Sequence, residues 1–257
     1  MRAQPAFSHR MISILAVMAL AGCSNGGGAT RSAPLAPSAQ SLAANPSETR
    51  IIIPFAASNF TGGVPNPLFP LVPGTTYTYR HETPDGLETN TVEVTHDSKL
   101  IAGVTTTVIH DRVYLEGALS EDTFDWYAND KDGNVWYFGE DTKTIAGGVV
   151  TSTEGSWEAG QGNAKAGIIM LAHPHMGDVY SQEDAPGVVA DMARVKGLNE
   201  TATVPYGTFT GCLKTQEWTP IEPGNRANKF YAAGIGTVLE VENRNGGRVE
   251  LVSVTGP

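Results

Sequence analysis

The segment His173-Pro174-His175-Met176-Gly177-Asp178 holds the residues best suited to bind a metal ion. Imidazole and thioether groups are ligands for copper, and imidazole and carboxylate groups are ligands for zinc. His173, His175, Met176 and Asp178 are therefore the candidate ligands. The alternative is an exposed loop between strands, in which these side chains contact only water. No third histidine lies close by in the sequence, so the segment alone does not complete a ligand set and we assign no metal site to it.

A second group of oxygen ligands surrounds a predicted hairpin and could form a calcium cage. Compared with a calcium-binding loop, however, the segment 130–134 lacks the carboxylate two residues before Asp130, where Ala128 stands, and the terminal glutamate. A tight turn explains Asp130 and Asp132 without a metal ion. The acidic residues of this group are Glu121, Asp122, Asp125, Asp130, Asp132, Glu140 and Asp141.

Evidence for an enzyme is absent from the sequence. Cys212 on a predicted strand is typical of a small buried hydrophobic residue. To act as a nucleophile, it would need a base such as His96 or His110. The chain contains no G-x-S-x-G, H-E-x-x-H, phosphate-loop or S-x-x-K motif. We therefore predict a protein that is not an enzyme, with no catalytic residues and no cofactor.

The element that organises these residues is a hairpin predicted over Phe124–Glu140. Two aromatic runs flank Asp130-Lys131-Asp132-Gly133, a sequence that favours a type I turn closed by a left-handed glycine. Residues 131–133 then form the loop, and Tyr127 is expected opposite Tyr137.

Side chains alternate across a strand, so the hairpin has two different faces. Tyr127 and Tyr137 share one face. The other face is apolar, and we expect it to be the inward side, where Trp126, Trp136 and Phe138 line a cleft for an apolar or amphipathic ligand. A filled core made of the same rings is the alternative. The apolar face carries Phe124, Trp126, Trp136 and Phe138.

Composition predicts an all-β fold. The chain has 257 residues, with 29 glycines, 16 prolines and many Thr and Val residues, which is typical of short strands joined by turns. Predicted strands follow one another at about ten-residue spacing without helical partners, which favours an antiparallel, incompletely closed barrel or sandwich with at most one or two short helices. The formal net charge of −10 and the lack of a basic stripe argue against nucleic acid as a partner.

Residues 1–22 are typical of a lipoprotein signal peptide. Arg2 and Arg10 accompany an apolar run of ten residues, Met11–Leu20, which is too short to span a bilayer. The sequence Leu20-Ala21-Gly22-Cys23 resembles the lipobox of bacterial lipoproteins, in which the cysteine is acylated, for example with palmitate. The resemblance implies lipid attachment at Cys23 and a membrane as partner. An ordinary cleaved signal peptide is the alternative.

Residues 23–48 are predicted to form a flexible tether after the lipid, because Gly, Ser, Ala and Pro dominate and aromatic residues are absent. By analogy with lipoprotein sorting, Ser24 favours the outer membrane if the host has two membranes. Residues 49–257 are predicted to form a single β-rich domain.

Two segments resemble a pattern found in an uncharacterised family of secreted bacterial β-rich lipoproteins: VPYGTFTGCLKT (204–215) and KFYAAGIGTVLE (229–240). PGTTYTY (73–79) and the aromatic hairpin fit the same group. Tyr206 stands where the pattern has a small residue, and Ala233 where it has proline. The resemblance covers most of residues 70–254 and implies a β-rich envelope domain, similar in shape to half-open-barrel lipoprotein carriers. It supplies no catalytic residues.

These observations together predict an envelope lipoprotein whose β-rich domain binds a small apolar ligand or an envelope protein. Two alternatives stay open from the sequence. One is a periplasmic protein that binds copper, zinc or calcium, and the other is a structural surface lipoprotein.

Overall fold

We describe residues 49–222 and 224–257 from a computed structural model of the chain. The predicted signal peptide (1–22), Cys23 and the tether (23–48) lie outside the described residues, so these remain predictions. Within the described ranges, 62% of residues lie in strands and 2% in a helix, the single 3-10 turn Ala57–Phe60. No helix in that part of the chain is long and apolar enough to cross a membrane.

The strands form one sheet of 16 members, which confirms the all-β fold class. In chain order they are β1 Thr49–Arg50, β2 Thr76–Thr83, β3 Gly86–Ile101, β4 Val104–Leu115, β5 Ala118–Asn129, β6 Val135–Ala146, β7 Val149–Ser152, β8 Trp157–Glu158, β9 Lys165–Met170, β10 Asp178–Ser181, β11 Glu183–Asp184, β12 Met192–Val204, β13 Gly207–Trp218, β14 Arg226–Ala232, β15 Gly236–Glu242 and β16 Arg248–Thr255.

Most neighbours in the sheet are also neighbours in the chain. The order across it is β1-β10-β12-β13-β14-β15-β16-β2-β3-β4-β5-β6-β9-β11, and β7 and β8 pair with β6. Two runs of consecutive antiparallel strands, β12–β16 and β2–β6, join through the pairing of β16 with β2. Among the strands of the described residues, only β1 and β10 pair in parallel. Short turns suffice for such a topology, in agreement with the turn-rich sequence.

The sheet is open but its two edge regions lie close together. β10 pairs with β12 near one edge, whereas β11 forms the other edge by pairing with β9. Only Gln182 separates β10 from β11 in the chain. The sheet must therefore curl until its edge regions meet, which confirms the predicted incompletely closed architecture.

The predicted hairpin is confirmed, with Tyr127 opposite Tyr137. The loop closes at Gly133, whose φ of 90° is left-handed, as the turn sequence predicts. A β-bulge that the sequence analysis did not predict lies beyond it, because Asp125 pairs with Glu140. Gly139 lies in the bulge at a φ of 123°, and a Cβ there would overlap the Trp157 carbonyl oxygen. Only glycine fits that position.

The tyrosine-bearing face of the hairpin is the inner face of the curled sheet. The Tyr127 and Tyr137 rings stack at 4.5 Å and are fully buried. Asp125, on the same face, interacts electrostatically with Glu183 on β11, and Glu183 interacts in turn with Lys229 on β14. Side chains on strands so far apart in the sheet can interact only if they point into one interior.

The irregular lead-in segment, residues 51–75, packs on the outer face of the hairpin and then turns inward. Phe55 and Phe60 contact the outer face. Asn66 is buried and its amide donates hydrogen bonds to the carbonyl oxygens of Gly133 and Leu171, which fixes the segment in place. Beyond it, Phe69 reaches the inner face.

Candidate binding cleft and polar interior

The structure places the predicted ligand-binding aromatics on the outer face of the hairpin, not the inner one. Trp126, Trp136 and Phe138 are between 0% and 6% exposed. Phe55 lies 6.0 Å from both Trp136 and Phe138, and Phe60 lies 5.7 Å and 5.5 Å from the same rings. The alternation of side chains between the two faces was predicted correctly. The prediction that the apolar face points inward was wrong, because the lead-in segment covers that face from outside.

Ligand binding by Trp126, Trp136 and Phe138 therefore stays a prediction, and the space beside two of the rings is already occupied. The third ring, Trp126, has the Lys99 ammonium 3.4 Å from its centre. Lys99 also pairs with Glu158 at 2.7 Å. These contacts are those of a covered structural layer.

An open cleft lies on the inner face, where the lead-in segment meets β2–β4 and the turn before β15. Its volume is about 400 Å³, which includes the solvent at its mouth. The cleft is not enclosed. The lining is mainly apolar and contains no basic side chain: Phe69, Pro70, Tyr77, Tyr79, Val92, Val94, Ile109, Ile235, Gly236 and Thr237.

Beside the cleft, the inner face becomes polar. We call the group formed by Asp111, Glu121, Asp125, Glu140 and Glu183 the acid cluster. All five side chains are 4% exposed or less. Hydrogen bonds satisfy only part of it: the Tyr137 hydroxyl donates to Asp125 Oδ1 at 2.6 Å, and the Asn90 amide donates to Asp111 Oδ1 at 2.6 Å. Asp125 Oδ2, Asp111 Oδ2 and both oxygens of Glu183 are buried without a hydrogen bond.

Burial is the main reason that the acid cluster holds protons. It raises the pKa of Glu121 to about 7 and that of Asp125 to about 7. Burial, followed by repulsion from neighbouring carboxylates, also raises the pKa values of Asp111, Glu140 and Glu183 well above their ordinary range. Removing a carboxylate from water without a cation beside it favours the neutral form. The interior therefore carries carboxyl groups that are protonated in mildly acidic solution.

The second polar group, the Lys229 cluster, balances its charges internally. Lys229 Nζ lies 2.9 Å from Glu217 Oε2 and 3.8 Å from Glu240 Oε2. Glu217 Oε1 also accepts hydrogen bonds from the hydroxyls of Tyr231 and Thr215, both at 2.8 Å. Burial alone would raise the pKa of Glu217, but Lys229 and these hydrogen bonds lower it overall. This is a compensated buried ion pair.

The predicted metal-ligand segment does not converge on one point. His173, His175 and Met176 are exposed, whereas Asp178 is buried. Asp178 Oδ2 accepts a hydrogen bond from the His175 backbone N–H at 2.8 Å, so it caps the turn. Across residues 49–222 and 224–257, no group of three or more His, Cys, Asp or Glu side chains has the geometry of a metal site.

The acids considered for calcium separate into different roles. Asp130 shapes the turn: it accepts hydrogen bonds from the backbone N–H groups of Asp132 and Asn134, the Asn134 amide and the Trp136 indole. Asp122 lies on the outer face beside His110 at 2.6 Å. Glu121, Asp125 and Glu140 instead belong to the inner acid cluster.

Cys212 is buried and free, which agrees with the prediction of a small buried residue. Its thiol contacts the Phe209 carbonyl oxygen at 3.7 Å. Burial raises the pKa of the Cys212 thiol, which disfavours the nucleophilic thiolate.

The acid cluster is the feature that sequence reasoning missed. Glu121, Asp125 and Tyr127 alternate along β5, as do Tyr137 and Glu140 across the bulge in β6. This period of two could have placed the acids on the tyrosine face. We instead considered these acids only as calcium ligands or turn residues.

No protein-family model matches the chain, and no curated protein matches it. Among solved structures, it is similar to a Bacteroides fragilis protein inferred to be exported, with a YmcC-like fold. The identity is 14% and the TM-score 0.42, over 75% of this chain and 98% of that one. An inferred lipoprotein from Parabacteroides distasonis is similar at 12% identity and a TM-score of 0.41, over 75% of this chain and 100% of that one. At TM-scores below 0.5, we base no functional argument on either likeness.

Proposed function

We propose that this chain is a cell-envelope lipoprotein, anchored through a lipid on Cys23, whose curled sheet binds a small apolar ligand in the inner-face cleft. The observation that carries the binding proposal is the open, mainly apolar cleft itself. In a host with two membranes, Ser24 favours the outer membrane.

The lead-in segment forms one wall of the cleft, and the sheet forms the others. Phe69 and Pro70 belong to this segment, and the other lining residues belong to strands or to the turn before β15. The Phe69 ring lies 5.2 Å from the Tyr127 ring. A ligand that displaced Phe69 would contact the same apolar surface that the ring now covers, and no ladder hydrogen bond would break.

Replacing Cys23 with serine is expected to abolish anchoring. The hydroxyl cannot replace the thiol as the acylated group, so incorporation of an alkyne-labelled fatty acid should stop and the protein should leave the membrane fraction. Labelling and fractionation of a bacterial host expressing the full chain would measure both. The matched control is Cys212→Ser, since these are the only two cysteines. Continued labelling of Cys23→Ser would contradict the anchoring proposal.

Hexan-1-ol is expected to bind the full chain carrying Cys23→Ser, and Ile235→Trp should weaken that binding at least about tenfold. Burial of several methylene groups provides the affinity, at about 0.8 kcal/mol each, and the larger indole fills the cleft. Isothermal titration calorimetry would measure the dissociation constants. Ile221→Trp is the control, because Ile221 is 46% exposed and does not line the cleft. An equal loss of affinity in both variants, or no binding of hexan-1-ol to the parent protein, would contradict the proposed ligand cleft.

A further inference from the structure

We infer that the cleft selects a ligand that is both apolar and cationic, an alkylammonium rather than a fatty-acid anion. This inference rests on the proposed binding function and adds the charge of the ligand. Its basis is the position of two carboxyl groups of the acid cluster, Asp111 and Asp125, immediately beside the apolar lining.

Strand pairing fixes that position. Val92 and Ile109 line the cleft, and their direct cross-strand partners are Asp111 and Asp125 respectively. Directly opposed residues of an antiparallel pair point to the same face, with Cβ atoms about 5 Å apart. Asp111 and Asp125 are buried behind the lining, within one strand spacing of a ligand held against Val92 and Ile109.

A third polar residue marks the same place independently of the acids. Asn90 is the direct partner of Tyr79, another lining residue, and is 5% exposed. Its amide nitrogen donates to Asp111, but its Oδ1 atom has no hydrogen-bond partner. Asp111 Oδ2 and Asp125 Oδ2 are also buried without a partner. When Asp111 and Asp125 are ionised, three acceptor atoms beside the cleft thus lack a donor, and native proteins rarely leave such groups unsatisfied. A bound cation would favour that ionised form.

An ammonium group would supply the missing donors. It has three N–H donors and no acceptor, and its positive charge would stabilise the ionised form of the buried carboxyl groups. Lys229 interacts electrostatically with Glu183 of the acid cluster. Its ammonium, however, lies beside Glu217 and Glu240, and it is not among the groups that lower the pKa of Asp111 or Asp125. A hydroxyl can donate only one hydrogen bond, and a carboxylate ligand would add a further uncompensated acceptor beside Asp111.

Three ligands with the same six-carbon chain test the selection: hexylammonium, hexan-1-ol and hexanoate. Each is titrated by calorimetry at neutral pH into the full chain carrying Cys23→Ser, with the amine protonated because alkylammonium pKa values lie near 10.4. We expect hexylammonium to bind at least about tenfold more tightly than hexan-1-ol, since hydrogen bonds to charged groups are about twice as strong as neutral ones. We expect no detectable binding of hexanoate.

Substitutions then locate the effect. Asp111→Asn should remove most of the preference for hexylammonium and leave hexan-1-ol binding unchanged, and Asp125→Asn is the second variant if the first does not fold. Asp85→Asn removes the same charge at the exposed turn between β2 and β3 and should change nothing. Ile235→Trp should weaken the binding of both ligands. This variant therefore distinguishes binding in the cleft from attraction of the amine to the acidic protein surface.

The outcomes distinguish the two proposals. If hexan-1-ol and hexylammonium bind equally, or if Asp111→Asn and Asp125→Asn both keep the preference, the charge selection is wrong and the apolar cleft stands. If hexylammonium binding survives Ile235→Trp, the amine binds elsewhere and the selection is again wrong. If neither ligand binds, the proposed binding function itself fails.

Discussion

Replacing Lys229 with methionine is expected to lower the free energy of unfolding by about 3–5 kcal/mol, the typical cost of removing one partner from a buried ion pair. Lys229 is 2% exposed, and its ammonium is the positive charge beside Glu217 and Glu240. Methionine fills a similar volume but leaves Glu217 buried without its cation. Urea denaturation of the parent and the variant, followed by circular dichroism, would measure the change.

Two further variants separate the charge from the packing. Lys165→Met removes a lysine that is 73% exposed and paired with Asp184, and it should change stability by less than about 1 kcal/mol. Combining Lys229→Met with Glu217→Gln should recover part of the loss, because the uncompensated carboxylate is then gone. A loss for Lys229→Met as small as that for Lys165→Met would show that the Lys229 cluster does not hold a buried pair.

Local sequence rules predicted the hairpins well, since each hairpin depends on residues close together in the chain. The Asp130–Gly133 turn defined the pairing of Tyr127 with Tyr137. The bulge at Gly139 was missed because its cause is distant in sequence. The Trp157 carbonyl oxygen approaches the backbone there, and no residue near position 139 in the sequence predicts that contact.

The inner and outer faces could not be assigned from the sequence because both faces of the hairpin are buried. Which face is the outer one depends on the residues that cover it, and these residues come from the lead-in segment. Phe55 and Phe60 lie in a stretch without apolar periodicity, so no pattern predicted that they would pack on Trp136. The prediction that the tryptophans point inward was therefore wrong, and the inner position of Glu121, Asp125 and Glu140 was not predicted.

The cleft could not be predicted either, because it is formed by residues that are distant in the sequence. Its lining combines Phe69 of the lead-in segment with β2–β4 and with Ile235 near the other end of the chain. These parts meet because β16 pairs with β2, a contact between the two ends of the domain that local propensity cannot reveal. Tyr77 and Tyr79 alternate along β2, but their role as one wall of the cleft depends on that long-range pairing.

Raising the pH from 5 to 8 is expected to destabilise the protein by at least about 3 kcal/mol. In the unfolded chain, carboxyl pKa values lie near 4. Burial raises the pKa of Glu121, Asp125 and Glu240 to about 7, so the folded state binds more protons than the unfolded state between about pH 4 and 7. The free energy of unfolding must fall with rising pH wherever the folded state binds more protons than the unfolded state. A single shift from 4.5 to about 7 corresponds to about 3 kcal/mol.

Glu217 acts in the opposite direction in a different pH range. Lys229 holds its pKa below the ordinary value, so its contribution is present above about pH 4.5 and is lost only as the pH falls towards its lowered pKa. Stability is therefore expected to be greatest near pH 5. Asp125→Asn should flatten the fall above pH 5, because it removes one proton-binding carboxyl group, and Asp85→Asn at the exposed turn should not.

The most direct test of the acid-lined interior is urea denaturation at pH 5, 6, 7 and 8 at constant ionic strength. An interior of protonated carboxyl groups predicts a free energy of unfolding that declines steadily across this range. Stability that stayed constant or increased from pH 5 to 8 would mean that these carboxyl groups are ionised or solvated in the folded protein, and the inner face described here would be wrong.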